Sequence, residues 1–319
     1  MGKKKVKIKR GVLRLLIVIF AAAVVGLYLY IYVVPKVSDS LKDTYTAEYG
    51  TLEIGEESEF LIVRTERVHT ADNSGTVSRI SPQGSLQRIN ARVVDVGGTG
   101  HYNQVRGIIS YSTDGLENEY TPENMDMITP EALIPRQDED GNKLYEIVKI
   151  GSGDVSKGDP IFKVVDNQTW YVIAWLDKNQ IGNYTVGKKI YVRFDDENEM
   201  IMKVHSVQEQ GENIQLILAC DRYWDKFSEI RTGKCKIIHT KKDGIIVEQS
   251  SIVEQDGIEG VYRVNKLGQN VFTPVKVLAS DGTYTACDKN YFYDKDGNYT
   301  ETIKNYVTIL RPDKMKEEE

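Results

Sequence analysis

The chain has 319 residues, of which 40% are hydrophobic and 28% are charged. These fractions exclude an intrinsically disordered chain, and three cysteines are too few for a disulfide scaffold. The formal net charge of −6 hides an asymmetry, because residues 1–14 hold seven basic side chains and no acidic one. The rest of the chain has 34 basic against 47 acidic residues, a net charge of −13. A body this acidic argues against nucleic-acid binding, which needs clustered cations.

The first element in chain order is an uncharged run of twenty residues, 15–34. At about 1.5 Å per residue it would span roughly 30 Å, the thickness of a bilayer core. Three tyrosines stand near its outer end, where amphipathic rings prefer the headgroup region, and Pro35 ends it. The basic cluster before it predicts a cytoplasmic N-terminus, so we expect a single-pass cell-membrane protein with its bulk extracytoplasmic. A cleaved secretory signal is the alternative, disfavoured by the length of the run and a weak cleavage site.

Beyond residue 50 the hydrophobic pattern has a period of two, which is typical of strands. We expect strands within five segments: 60–70, 75–81, 188–194, 200–207 and 214–220. Asp-Gly pairs predict tight turns at 140–141, 243–244, 256–257, 281–282 and 296–297. Helix signals are weak outside the first run, with short helices possible only in 118–134 and 222–230. The predicted fold class is therefore mainly β, built from small barrels or sandwiches.

Residues 71–97 and residues 146–166 share one sequence pattern: an apolar strand, a glycine turn and a second apolar strand. In the second, Gly151, Gly153 and Gly158 predict turn conformations that other residues resist. We interpret the two stretches as halves of one sandwich; unrelated hairpins of similar pattern are the alternative. The apolar residues of 161–165 are expected to build the sandwich core rather than a substrate site.

The second half carries Gly153, Val155 and Lys157-Gly158-Asp159, and the strand TWYVIAWL follows. A turn with Gly187, Lys188 and Val192 comes next. In this order and spacing the motifs resemble the membrane fusion proteins, or periplasmic adaptor subunits, of the haemolysin-D-like type. The resemblance covers roughly residues 60–311. It implies an N-terminal transmembrane helix followed by this order of segments: linker 35–59, barrel-sandwich hybrid (lipoyl-like) domain 60–166, β-barrel domain 167–240, membrane-proximal β domain 241–311 and polar tail 312–319.

One departure from that family concerns the region between the two sandwich halves. Most adaptors insert a long α-helical hairpin there, but residues 98–145 contain a Gly-Gly pair, several prolines and no heptad pattern. We therefore expect a hairpin-less adaptor of the Gram-positive type. A second departure is chemical, because neither half carries the Asp-Lys-Ala tip that lipoyl domains present for modification.

No catalytic, cofactor-binding or metal site is predicted. The four histidines lack ligand spacing: His69, His101, His205 and His239. Cys220 is expected to be a small buried apolar residue. The alternative is a Cys220–Cys235 disulfide, formed in an oxidising extracytoplasmic environment. The acidic segments 138–141 and 294–297 lack the remaining ligands of a calcium loop, so tight turns are preferred.

The resemblance implies a non-enzymatic adaptor that assembles with an inner-membrane transporter, of the ABC or resistance-nodulation-division (RND) type, for efflux or secretion. It also implies a homo-oligomer. The alternative is a single-pass cell-envelope scaffold that binds wall or division proteins and has no transport role. An extracytoplasmic enzyme is disfavoured, because no nucleophile, base or phosphate-binding motif stands in the sequence.

Overall fold

The computed structural model describes residues 10–28, 43–134, 147–195 and 198–311. The first of these ranges is helix α1, Arg10–Tyr28. It overlaps the predicted membrane span, whose residues 29–34 lie outside the described residues. Among the described residues, no helix combines the length and the apolar character needed to cross a membrane.

The rest of the described chain is almost entirely strand, which confirms the predicted mainly β class. It divides into two compact units: a central unit of residues 53–240, and a terminal unit that takes the residues before 53 and after 240. The strands that lie wholly or partly in the central unit are β1 (Thr44–Val63), β2 (Glu66–Thr70), β3 (Gly75–Arg79), β4 (Leu86–Gln87), β5 (Arg92–Val96), β6 (Thr99–Tyr102), β7 (Gly107–Ser110), β8 (Ser112–Thr113), β9 (Val148–Lys149), β10 (Asp154–Val155), β11 (Pro160–Val165), β12 (Trp170–Asp177), β13 (Lys189–Arg193), β14 (Glu199–Gln210), β15 (Asn213–Cys220) and β16 (Thr232–Glu248).

The remaining strands belong to the terminal unit: β17 (Val253–Gln255), β18 (Ile258–Val264), β19 (Asn270–Pro274), β20 (Val277–Ser280), β21 (Tyr284–Cys287), β22 (Tyr291–Tyr293), β23 (Tyr299–Glu301) and β24 (Val307–Leu310). Short 3-10 helices occupy Met125–Met127, Pro130–Leu133, Lys178–Asn183 and Gln249–Ser251. In the described part of the region between the sandwich halves, residues 98–134, there is no α-helix.

The sandwich of the central unit has two four-stranded sheets, in the orders β10-β3-β5-β6 and β2-β11-β7-β4. The two predicted halves meet in it: Asp154 pairs with Thr76, and the Gly158 amide donates to the Ala71 carbonyl at 2.8 Å. Ile161, Phe162 and Val164 lie in its core as expected, whereas the buried Val165 packs into the barrel core instead. Of the three predicted turn glycines only Gly158 has a positive φ, +95°; the prediction was wrong for Gly151 and Gly153.

The barrel of the central unit has six strands. Its order is β1-β12-β15-β14-β13-β16, and an additional β16–β1 pairing closes it, which removes the free edges of an open sheet. Inward residues such as Phe60, Val172 and Leu216 fill its core. Strand β1 begins at Thr44, inside the stretch 35–59 that was predicted to be a linker. The strand was not predicted there because its many glutamates obscure the alternation of apolar and polar residues.

The terminal unit contains two runs of paired strands. One has the order β17-β18-β24-β1 and uses the first part of β1; the other has the order β16-β21-β20 and uses the last part of β16. Its core includes Ala47, Ile245, Val261 and Ile309. The predicted turn at 243–244 is wrong, because both residues lie inside strand β16. A Cβ on Gly244 would lie 2.5 Å from the Cys287 carbonyl oxygen, so this glycine permits the close approach of strand β21 rather than a turn.

Candidate functional site: the junction of sandwich and barrel

The chain passes between sandwich and barrel twice, from the end of β1 to the start of β2 and from the end of β11 to the start of β12. A third segment, residues 114–134, leaves the sandwich and lies on the outside of the barrel; we call it the strap. Six charged side chains converge where these segments meet, and each is almost or completely inaccessible to solvent: Arg64, Glu66, Asp114, Glu117, Lys163 and Arg231. We call this group the junction network. Its three cations and three anions balance, as burial of charge in a low dielectric requires.

Glu66 is the centre of the junction network. Its Oε1 lies 2.8 Å from Arg64 Nε and 2.7 Å from Lys163 Nζ, and its Oε2 accepts from Arg231 Nη2. One carboxylate therefore contacts three cations: the residue that follows strand β1, one on sandwich strand β11 and the residue that precedes β16. This arrangement ties both crossings of the chain to the returning barrel segment.

Arg231 also connects the junction network to the strap. It binds Asp114 through two nitrogens, Nε to Oδ2 at 2.8 Å and Nη2 to Oδ1 at 3.0 Å. Its Nη1 donates to the Ile62 carbonyl at 3.2 Å. Such a forked arginine–carboxylate contact fixes orientation as well as distance, so the start of the strap is held in one geometry.

Arg64 and Glu117 complete the junction network. Arg64 Nη1 donates to the carbonyl oxygens of Phe227 and Ile230, in the segment before β16. Glu117 accepts from the Asp114 amide at 3.0 Å and lies 3.3 Å from Lys163 Nζ. Backbone groups and side chains thus both supply hydrogen bonds to these buried charges, although the buried Arg64 Nη2 has no hydrogen-bond partner among the described residues.

The pKa values follow from this packing. Burial by itself would raise the pKa of Glu66, but Arg64, Arg231 and Lys163 outweigh it and lower the pKa to about 2. Burial would likewise raise the pKa of Asp114, and Arg231 lowers it instead. Burial lowers the pKa of Arg64 in spite of Glu66. The shifts of the two acids show that the junction network favours their charged forms.

The strap covers an apolar patch on the outer face of the barrel. Leu61, Ile173 and Ile217 point outward from strands β1, β12 and β15 and pack against strap residues that include Met125 and Ile128. This packing explains why these strands are apolar on both faces. Hydrogen bonds add to it: the fully buried Gln215 Nε2 donates to the carbonyls of Met125 at 3.1 Å and Ile128 at 2.7 Å.

The residues singled out in the sequence do not form a common site. Lys157 is exposed at a turn. Its backbone amide donates to Ser74 Oγ at 3.1 Å, a contact that joins the two sandwich halves. The three cysteines are buried and unpaired, so Cys220 and Cys235 form no disulfide in this structure. The described ranges contain no cluster of histidine, cysteine and acidic residues that could hold a metal ion. The loop at 138–141 lies outside the described residues.

The histidines lie in different surroundings. His205 is exposed, whereas His101 is buried and its Nε2 accepts from the Asp72 amide at 3.1 Å. His69 stacks on Phe162 with ring centroids 4.4 Å apart, and burial lowers its pKa. These contacts give His69 and His101 packing roles in the sandwich.

Sequence reasoning missed the junction network. A signal for it was present, because Lys163 interrupts a run of buried apolar residues and Arg64 directly follows another, and a charge in such a place needs a buried partner. The identity of the partners could not be read from the sequence. Asp114 and Arg231 are 117 positions apart.

The fold agrees with comparison to known protein families. The family model described as "RND related, barrel-sandwich hybrid domain" matches residues 66–166, and the model described as "RND related, beta-barrel domain" matches residues 170–241. Together they cover more than half of the 319 residues. The chain therefore belongs to the RND-related family that these two domain models describe. No curated protein sequence matches the chain.

The solved structures to which this chain is similar are distant from it in sequence. ZneB from Cupriavidus metallidurans is 11% identical, with a TM-score of 0.30, over 84% of this chain and 92% of ZneB. MacA from Actinobacillus actinomycetemcomitans is 9% identical, with a TM-score of 0.35, over 83% of this chain and 98% of MacA. Spr0693, a membrane fusion protein from Streptococcus pneumoniae R6, is 7% identical, with a TM-score of 0.28, over 59% of this chain and 98% of Spr0693.

Proposed function

We propose that this protein is a non-enzymatic, membrane-anchored extracytoplasmic adaptor of the haemolysin-D-like, hairpin-less type. It assembles with an inner-membrane transporter of the ABC or RND type for efflux or secretion. The observation that carries the proposal is the tandem of a barrel-sandwich hybrid and a closed β-barrel, both matched by RND-related family models. Fold alone does not fix a function, so the proposal needs a direct test.

The mechanism we propose is positional. Copies of the chain surround the transporter, and the sandwich and barrel relay its movements as one body. The junction network supports this role, because buried ion pairs and the strap both resist any change in the angle between sandwich and barrel. In the same proposal the domain boundaries 60–166, 167–240 and 241–311 stay a prediction for the chain outside strand β1, whose Phe60 and Ile62 pack in the barrel core.

Anchoring is part of the proposal. The uncharged run 15–34 would cross the membrane once, with the basic residues 1–14 in the cytoplasm and the bulk of the chain outside. Alkaline carbonate extraction of cell membranes tests the anchor, since an integral protein stays in the membrane pellet. Protease added to intact wall-less cells should degrade a C-terminal tag and spare an N-terminal one; the opposite pattern overturns the topology.

The adaptor function is tested by crosslinking in cells, followed by affinity purification from detergent-solubilised membranes and mass spectrometry. Specific recovery of a transporter permease supports the adaptor and identifies the transporter. Recovery of wall or division proteins without a permease overturns it and favours the envelope scaffold. A variant with Glu66→Gln and Lys163→Met, which disrupts the junction network, should retain less permease than a matched Glu59→Gln variant.

A further inference from the structure

The terminal unit has a concave surface beside the turn that joins strands β18 and β19. A cleft of about 490 Å³ is lined there by eight described residues, none of them acidic, that include Arg263, Lys266 and Tyr306. An adjoining cleft of about 270 Å³ shares Arg263 and is lined also by Lys304 and by one acid, Glu301. We call the two clefts together the basic cleft.

The cations of the basic cleft are available to bind an anion. Among the described residues, the side chains of Lys266 and Lys304 have no hydrogen-bond or ion-pair partner. Arg263 is oriented by a hydrogen bond from its Nε to Thr273 Oγ1 at 3.0 Å, which leaves its two terminal nitrogens without a partner in the described part of the chain. Arginine and lysine are the groups with which proteins bind phosphate oxygens. In a body of net negative charge, three uncompensated cations on one concave surface favour a phosphate-bearing ligand.

An exposed apolar rim borders these cations. Leu267 is 80% exposed in the turn between β18 and β19, and Tyr306 is 69% exposed. The turn is held by Asn265, whose Oδ1 accepts from the amides of Leu267 and Gln269, each at 2.9 Å. This ordered turn presents Leu267 to solvent, where its apolar surface is available to a partner.

The backbone at Tyr306 adds an independent observation. Its φ is +61°, in the left-handed region that an aromatic residue rarely adopts. Strained conformations of this kind are concentrated at binding sites. The neighbouring Asn305 side chain, which accepts from the Tyr49 amide at 2.7 Å, helps to hold the backbone there. The exposed ring is therefore kept at the rim of the basic cleft.

The basic cleft lies close to the point where the chain enters the terminal unit. Val307, which lines both clefts, pairs with Ala47, three residues after strand β1 begins at Thr44. Three residues of strand correspond to about 10 Å. Ten positions separate Thr44 from Val34, the last residue of the predicted membrane span, and ten residues reach at most about 36 Å. In the proposed function the basic cleft is therefore within reach of the membrane surface.

We propose that the basic cleft binds the phosphate of an anionic phospholipid headgroup, with Leu267 and Tyr306 inserted beside it into the membrane surface. The cations match the charge of the phosphate, and the leucine and tyrosine match the boundary between headgroups and acyl chains. A soluble phosphate compound satisfies the cations but leaves the apolar rim in water, so the lipid accounts for both features. The inference rests on the membrane anchoring in the proposed function, and it gives the terminal unit a second contact with the bilayer.

Lipid-dependent quenching tests the proposal on the full-length chain reconstituted into vesicles. A fluorophore is attached to Leu267→Cys, which labels selectively because the three native cysteines are buried. The vesicles consist of phosphatidylcholine with or without phosphatidylglycerol and carry a nitroxide on the acyl chains close to the headgroups. The probe should be quenched strongly only where phosphatidylglycerol is present. The matched control is Ile258→Cys, 49% exposed at the opposite end of β18, which should not be quenched in either kind of vesicle.

Charge reversal supplies the second measurement. Lys266→Glu together with Lys304→Glu should lower the ratio of quenched to unquenched probe in phosphatidylglycerol vesicles by at least about tenfold, because both cations become anions beside an anionic surface. Lys295→Glu reverses an exposed charge elsewhere in the terminal unit and should leave this ratio unchanged. Added salt should weaken the quenching of the unreversed chain, since it screens exposed charges.

The outcomes that overturn the proposal are distinct. Equal quenching at positions 267 and 258, quenching that does not depend on phosphatidylglycerol, and full quenching after the double reversal would each overturn it. Binding of inorganic phosphate to the detergent-solubilised chain, without lipid-dependent quenching at position 267, would assign the basic cleft to a soluble phosphate compound instead. Carbonate extraction reports on the anchor and quenching reports on the basic cleft, so failure of the proposed anchoring is distinguishable from failure of this inference.

Discussion

Neutralising the centre of the junction network is the sharpest perturbation that the structure offers. Glu66→Gln keeps the shape of the side chain and leaves Arg64, Lys163 and Arg231 with too few anions. The pKa of Glu66 falls from its ordinary value of 4.5 to about 2, and each pH unit corresponds to about 1.4 kcal/mol, so the charge stabilises the fold by about 3 kcal/mol at neutral pH. The usual effect of removing one partner from a buried ion pair is of the same order, about 3–5 kcal/mol.

Tryptophan fluorescence during urea unfolding measures this effect selectively. The three tryptophans, Trp170, Trp175 and Trp224, all belong to the central unit, so the signal reports on the unit that contains the network. The matched control is Glu59→Gln, an exposed acid on strand β1, which ends one residue before Arg64; it should change stability by less than about 0.5 kcal/mol. A Glu66→Gln variant as stable as this control would refute the reasoning.

The same variant has a defined pH dependence. Because the pKa of Glu66 is lower in the folded protein than in the unfolded chain, its stabilisation is present above about pH 5 and disappears as the pH falls towards 2. The difference in stability between wild type and Glu66→Gln should therefore shrink from about 3 kcal/mol at pH 7 to near zero at pH 2. A difference that stays constant over this range would mean that the effect is steric.

Three other predictions concern the turn, the strap and the cysteines. Gly158→Val forces a β-branched residue to φ +95° and should destabilise the protein by about 1–3 kcal/mol in thermal unfolding, whereas Gly153→Val, at an equally open position without a positive φ, should have little effect. Gln215→Ala leaves the buried Met125 and Ile128 carbonyls without this donor; it should cost about 1–3 kcal/mol and speed proteolysis within the strap, more than does the exposed Gln208→Ala. Burial raises the pKa of the Cys235 and Cys287 thiols to about 12. Alkylation of these thiols at pH 8 should therefore need denaturant, and rapid labelling of the native protein would contradict their burial.

The sequence alone was enough to predict the elements whose pattern is local. Alternation predicted the strands around 189–193 and 199–210, and Asp256-Gly257 predicted a turn that the structure contains, with φ of +54° and +78°. Strand period and turn chemistry depend on neighbours in the chain, which is why they can be read without coordinates. The membrane span at 15–34 rests on the same local reasoning and stays a prediction.

The tertiary structure decided the features that depend on distant partners. Asp243-Gly244 has the composition of a turn, yet it lies in a long strand, because a close approach to Cys287 requires the missing side chain. Strands β12 and β15 are apolar on both faces because the strap covers their outer side. The junction network joins residues from positions 64 to 231, and only folding shows which charges meet. Local sequence determined the strands and turns of this protein, whereas long-range packing determined how its sandwich and barrel are held together.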